Sequence, residues 1–184
     1  MKHGRRTLLI LVIIFVALGV GVFIQSGARL QQAVEQATEN RVPTIFPFIT
    51  EESQIDAVRL QVPGSETVFT IARDPDRSWI APGQTLGVDQ AAATAIASSI
   101  VLLPYYRTLP NIPQSDLATL YGFNPGTLLI TVLLNDGAQH AVLVGGLTPA
   151  GDTYYALVDQ QTEVYVVERR AIDYLFVVLR DSSA

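Results

Sequence analysis

The chain has 184 residues, of which 49% are hydrophobic, and it carries a formal net charge of −5. This length fits one domain of ordinary size with an appended segment. An acidic chain repels phosphate backbones, so we predict no nucleic-acid partner. The sequence has no cysteine, which excludes disulfides and thiolate-bound metals. We predict that the protein uses no metal or other cofactor.

The N-terminal region has the pattern of a transmembrane helix, which we predict over residues 7–25. No charged residue stands between Leu8 and Ile24. A helix of this length spans a hydrocarbon core of about 30 Å, because each residue advances the helix by about 1.5 Å. We therefore predict that this run anchors the chain in a membrane.

The charges around this run predict its orientation. Lys2, Arg5 and Arg6 precede it, so the positive-inside rule places residues 1–6 in the cytoplasm and the C-terminal part outside. The expected location is the cytoplasmic (inner) membrane, with a single pass. A cleaved signal peptide ending at Ala28 is the alternative and gives the same orientation. The apolar run is longer than the usual signal core of about 7–15 residues, which favours a retained anchor.

Residues 26–47 are predicted to form a stalk and linker. Leu30, Ala33 and Val34 share one helical stripe in a segment otherwise rich in Gln and Glu, which is typical of a helix that continues into water. The residue before a proline avoids the α region, so Pro43 ends this helix. Residues 43–47 then form an extended connector, and an extracytoplasmic domain follows over residues 48–184.

The first half of this domain reads as a meander of strands followed by helices. Alternating apolar residues predict strands over residues 55–62, 68–72 and 78–80. The alanine-rich residues 88–103 predict a helix that Pro104 ends. Residues 108–113 read as a loop, after which Ser115 is expected to cap a short helix that runs to Leu120.

The second half reads as two hairpins and a closing helix. Residues 127–134 and 139–144 flank Asn135-Asp136-Gly137, and the Asp-Gly pair predicts a type I′ turn. Residues 145–152 are expected to connect this hairpin to a second one, with strands over residues 153–158 and 164–167. A helix over residues 168–179 closes the chain. The predicted fold class is α+β: an antiparallel sheet with two or three packed helices, preceded by the single transmembrane helix.

The order of these elements resembles the DUF4340 domain family over residues 55–175. The segments that carry the resemblance are Trp79 with the alanine-rich helix, Asp116-Leu117, Tyr121-Gly122-Phe123 with Pro125, Asn135-Asp136-Gly137, Gly145-Gly146 with Pro149 and Gly151, Tyr154-Tyr155, and Val164-Tyr165-Val166-Val167. The resemblance implies membrane anchoring. For some members it also implies a role beside ABC-type transport systems. The family has no established activity, so no catalytic residue is implied.

The sequence offers no reaction signature, and we predict a protein that is not an enzyme. Catalysis needs a positioned base, nucleophile or metal. His140 is the one histidine after the anchor, and on a polar strand face it is expected to be a solvated surface residue. Ser98 and Ser99 lie in the alanine-rich helix without a nucleophile elbow, so we predict no catalytic residue.

Five tyrosines form the predicted interaction surface, since tyrosine joins a large apolar body to a polar tip. They are Tyr105, Tyr106, Tyr154, Tyr155 and Tyr165. The alternative is that strand alternation places one ring of each adjacent pair in the core and the other outside.

Two functional hypotheses follow from these features. The first is a non-enzymatic accessory subunit of a larger membrane protein complex, which acts through its extracytoplasmic domain. The second is an extracytoplasmic ligand-binding module for a peptide, glycan or small solute, auxiliary to an ABC-type transporter. A flat apolar patch favours the first hypothesis, and a pocket with a few converging polar groups favours the second.

Overall fold

The computed structural model describes residues 42–82, 87–159 and 161–182. They belong to a compact unit that begins at Val42. The predicted cytoplasmic flank, transmembrane helix and most of the stalk, residues 1–41, lie outside the described residues. Within the described ranges, no helix is long and apolar enough to cross a membrane.

An eight-stranded sheet forms the centre of this unit. In chain order its strands are β1 (Ile55–Gln61), β2 (Val68–Arg73), β3 (Trp79–Ile80), β4 (Tyr105–Leu109), β5 (Leu129–Leu134), β6 (Gln139–Leu147), β7 (Thr153–Val158) and β8 (Val164–Glu168). The spatial order is β3-β2-β1-β5-β6-β7-β8-β4, and all neighbouring strands are antiparallel. The predicted α+β class with an antiparallel sheet is confirmed.

The described residues contain three α-helices: α1 (Gln90–Val101), α2 (Gln114–Thr119) and α3 (Arg169–Asp181). The carboxylate of Asp89 caps α1 by accepting hydrogen bonds from the backbone N–H groups of Ala91 and Ala92, which satisfies two otherwise unpaired donors. The amphipathic helix α3 buries Ile172, Leu175 and Leu179. Both α1 and α3 contribute to the main hydrophobic core.

The main core lies between one face of the sheet and these two helices. Strand alternation directs one set of side chains into it, including Val58, Leu60, Ile130 and Val132, which are fully buried. Trp79 is 2% exposed, as predicted. The Trp79 indole makes two polar contacts. Its Nε1 donates a hydrogen bond to Thr94 Oγ1 at 3.2 Å, and the Arg73 guanidinium makes a cation–π contact 3.8 Å from the ring centroid.

The segment before β1 is part of this core, although the sequence analysis assigned residues up to 47 to the linker. Ile45, Phe46 and Ile49 are 0–4% exposed. The Ile45 N–H donates to the Leu103 carbonyl at 3.1 Å. The compact unit accordingly begins at Val42, since Ile45 and Phe46, both in the predicted linker, are buried in it.

Two strand predictions differ from the structure. Tyr105–Leu109 forms β4, an edge strand paired with β8, where the sequence analysis placed no strand and began a loop at Thr108. Proline on either side of this short segment hides the strand signal. Strand β6 continues to Leu147, so Gly145 and Gly146 lie inside a strand and not in the connection after it.

Two local predictions are also wrong. A type I′ turn needs two residues with positive φ. Of the turn residues 135–137, only Gly137 has a positive φ, 86°. The N–H of Gly137 donates to the carbonyl of Leu134, which is the pattern of a type I turn followed by a left-handed glycine. Ser115 lies inside α2, and the N-cap position is Pro113.

Candidate functional site

The second face of the sheet is open over β1, β5 and β6. Residues that pair directly across antiparallel strands share a face. On this face Gln61 pairs with Leu129, Leu129 with Leu143, and Leu143 with Leu157. The three leucines are half-buried, and they form an apolar row across β5, β6 and β7.

A more polar row runs beside the apolar one. Thr70 pairs with Arg59, Arg59 with Thr131, and Thr131 with Ala141. Because these positions lie two residues from those of the apolar row along each strand, both rows point to the same side of the sheet. The open face therefore presents polar side chains directly beside an apolar row.

A second, smaller core covers the other end of this face. Its buried residues are Tyr155, Val164 and Val166. The partly buried apolar side chains packed against them are Leu109, Ile112, Leu117, Tyr121, Phe123 and Leu157. This cluster holds α2 and the segment after it against the sheet, and together they form a wall beside the open face.

Close backbone contact between this wall and β6 requires glycine. The Gly146 N–H donates to the Tyr121 carbonyl at 2.8 Å. A Cβ atom on Gly145 would lie 2.5 Å from the Tyr121 carbonyl oxygen. A Cβ atom on Gly122 would lie 2.7 Å from the Gly146 nitrogen, and Gly122 also has a φ of 72°. The glycines let the wall segment lie directly on the strand.

Wall and sheet enclose a groove of about 900 Å³. Its lining residues are Arg59, Gln61, Gln114, Leu117, Ala118, Phe123, Leu129, Thr131, Gln139, Ala141, Leu143, Leu157 and Gln161. Apolar side chains with a few polar groups among them are typical of ligand-binding pockets. The alternation of β1, β5 and β6 contains the polar and apolar rows of this groove, but no pattern within one strand predicts that they line a groove.

The polar side chains of the groove have no side-chain partners among the described residues. They are Arg59, Gln61, Gln114, Thr131, Gln139 and Gln161, and none of them makes a side-chain hydrogen bond or ion pair with another described residue. Arg59 is the one charged residue among the described residues that line the groove. A ligand can therefore bind these side chains without breaking a side-chain bond to any described residue.

A second cleft, of about 770 Å³, lies at the N-terminus of α3, and part of its polar lining is already bonded within the domain. Its lining includes Arg169 and Thr148. Arg169 already donates to the Asp173 carboxylate at 2.9 Å and to the Gly151 carbonyl at 2.6 Å. Thr148 is buried and shares a hydrogen bond with the Thr153 hydroxyl at 2.8 Å. These polar groups hold the β6–β7 connection together.

The five predicted interaction tyrosines do not form one surface. Tyr105 packs edge-on against Tyr165 with centroids 5.1 Å apart, and Tyr155, 8% exposed, packs in the second core. The Tyr154 hydroxyl donates to the Asp173 carboxylate at 2.9 Å. Burial raises the pKa of Tyr154 and of Tyr165. Tyr106 is the exposed ring of the five, at 59%. That these tyrosines contact a partner stays a prediction.

His140 is packed, whereas the sequence analysis expected a solvated side chain. Its Nδ1 lies 2.7 Å from the Asp159 carboxylate, and its side chain is 21% exposed. The ring centroids of Phe48 and Phe46 lie 4.6 and 5.7 Å from that of the imidazole. The second Asp159 oxygen accepts from the Ala141 N–H at 2.7 Å. These contacts give His140 a structural role where the N-terminal segment meets β6.

Over the described ranges, no group of three or more His, Asp or Glu side chains is arranged to hold a metal ion. Comparisons of the chain with protein-family models, with curated proteins and with solved structures find no match.

Proposed function

We propose that this chain is a non-enzymatic accessory subunit of a membrane protein complex and that the groove on the open sheet face contacts its partner. In this proposal residues 7–25 anchor the chain in the cytoplasmic membrane and the domain lies on the extracytoplasmic side, as the charge pattern of the sequence indicates.

The observation that carries the proposal is a set of six polar side chains around a half-buried leucine row, none of which is bonded to another described side chain or backbone group. A polar group buried by a partner is costly unless it gains a hydrogen bond, so such side chains select partners that supply one. The leucines supply apolar area, which favours association without direction. The leucines therefore favour association with a partner, and the polar side chains select which partner binds.

A ligand-binding module auxiliary to a transporter is the second candidate. The volume of the groove, about 900 Å³, lies within the range of small-molecule pockets, which is about 300–1,000 Å³. Both candidates use the same groove. They differ in whether the occupant is part of a protein or a free solute, and isolation of the complex separates them.

Isolation of the complex in mild detergent tests the proposal. The full chain is purified from its native membranes as wild type, as Leu143→Arg in the groove and as Val177→Arg on α3, a control whose side chain is exposed. We expect a membrane protein assembly to remain with wild type and with the control. Leu143→Arg should lose it, because a charge is placed in the apolar row.

Two further variants test whether the function needs a proton-transferring side chain and whether it needs the membrane anchor. His140→Ala should keep the assembly, because the proposal moves no proton. Replacing residues 7–25 by a cleavable signal should reduce recovery strongly, since membrane anchoring raises the effective concentration at the partner. Retention of the assembly by Leu143→Arg, or its loss with His140→Ala in a folded chain, would contradict the proposal.

A further inference from the structure

We infer that the occupant of the groove is an extended peptide segment of the partner that carries a carboxylate, and that Arg59 binds this carboxylate. The inference rests on the proposed function, because it assumes that the groove is the contact surface. It adds the chemistry of the segment that is recognised.

The positive charge of Arg59 favours a negatively charged ligand. Arg59 projects from β1 into the polar row beside Thr131 and has no ion-pair partner among the described residues. No Asp or Glu stands among the described residues that line the groove. A cationic segment would find no counter-charge there, whereas a carboxylate gains a charge-assisted, bidentate hydrogen bond from the guanidinium.

Amide side chains favour a peptide over other neutral ligands. Gln61, Gln114, Gln139 and Gln161 line the groove, and each carries both donors and an acceptor. These groups match the N–H and C=O of a peptide backbone. Phe123 supplies the one aromatic ring among the described lining residues, so the groove has little of the aromatic surface on which a sugar ring packs.

The apolar row has the dimensions of a short extended segment. The three leucines lie on β5, β6 and β7, and Gln61 continues their line onto β1. From Gln61 to Leu157 this line crosses four neighbouring strands, a span of roughly 14 Å at about 4.8 Å between strands. An extended chain advances about 3.3 Å per residue, so about four to five residues cover this row. Alternate side chains of such a segment would point into the groove and pack against the leucines.

Selection from a random heptapeptide library tests the inference directly. The library is selected against the full chain in mild detergent and, in parallel, against Arg59→Gln and Arg107→Gln. Arg107 serves as the control, because it is exposed, lies on β4 in the second cleft and not in the groove, and has no ion-pair partner among the described residues. We expect acidic sequences with alternating apolar residues to be enriched by wild type and by Arg107→Gln, and not by Arg59→Gln.

A binding cycle then assigns the carboxylate. The most enriched peptide is synthesised with its acidic residue as Glu and as Gln, and its affinity is measured by fluorescence anisotropy. Either the Glu→Gln change in the peptide or Arg59→Gln in the chain should weaken binding about tenfold. Making both changes should cost little more than one, because both remove the same contact.

The outcomes separate this inference from the proposed function. Enrichment of acidic sequences with a coupled cycle supports a peptide ligand. Enrichment without acidic residues, or equal enrichment by Arg59→Gln, overturns the assignment of Arg59. If no sequence is enriched while Leu143→Arg still loses the assembly, the groove is the contact surface but its ligand is not a linear peptide, and the inference alone fails.

Discussion

The contact between the groove wall and β6 makes Gly145→Ala a sharp test of the structure. The new Cβ would lie 2.5 Å from the Tyr121 carbonyl oxygen and 2.9 Å from Phe123 Cε1. The Phe123 ring is a side chain and adjusts more easily. The carbonyl is backbone, and it must retreat by about 1 Å to reach the 3.4 Å at which contacts become ordinary.

The expected cost follows from two effects of that displacement. Overpacking of a close contact costs about 1–3 kcal/mol. The retreat of the Tyr121 carbonyl also breaks its hydrogen bond from the Gly146 N–H, now 2.8 Å long, which contributes about 0.5–1.5 kcal/mol. We therefore expect Gly145→Ala to lower the free energy of unfolding by about 2–4 kcal/mol.

Urea denaturation of a fragment that begins at Val42 measures this loss. The chain offers a matched control in Gly87→Ala, because a Cβ there meets no atom of the described residues within 4 Å. The free energy of unfolding of this variant should change by less than about 0.5 kcal/mol. Equal stabilities for Gly145→Ala and Gly87→Ala would refute the close approach of the wall to β6, and with it the shape of the groove.

Three other predictions concern the core, the tyrosines and the anchor. Trp79→Ala should lower the free energy of unfolding by about 3–5 kcal/mol; urea melts that match wild type would contradict its burial. Because burial raises the pKa of Tyr154 and of Tyr165, the associated stability should be full below about pH 10 and fall as pH rises through the folded pKa values. In Tyr154→Phe the urea midpoint should decrease less steeply with rising pH than in wild type. An equal decrease in the two proteins would contradict a contribution from Tyr154. A C-terminal alkaline phosphatase fusion should be active if the domain is exported, whereas activity of a cytoplasm-only reporter at the same position would reverse the topology.

Periodicity was sufficient to predict most of the sheet. Strands β1, β2, β5, β7 and β8 were located from alternating or continuous apolar runs, because each strand turns apolar residues toward a core. The alanine-rich segment likewise predicted α1. These elements are specified locally, so a single sequence identifies them.

The missed features depend on long-range contacts. Strand β4 is an edge strand between two prolines, and its pairing partner β8 lies more than 50 residues away. In the sequence Gly145 and Gly146 have the pattern of turn residues. In the structure they lie in β6, where the absence of a side chain lets the Tyr121 backbone approach closely. No local pattern reveals which backbone will approach a glycine, and for this reason the wall of the groove was not predicted.

The groove itself illustrates the same limit. Its rows combine Arg59, Thr131 and Ala141 from three strands through their register. Each strand alone shows only an ordinary half-exposed face. The tyrosines were the more conspicuous signal in the sequence, yet most of them are used in packing within the domain. A residue type that suits an interface also suits a core.

Site-specific photo-crosslinking in native membranes tests the central claim most directly. A photoreactive residue is placed at Gln139, which is exposed and lines the groove, and separately at Val177 on α3. The account predicts a crosslink from position 139 to an extended, acidic segment of one membrane protein, and none to that segment from position 177. A partner that crosslinks from position 177 and not from position 139 would contradict the assignment of the groove as the contact surface.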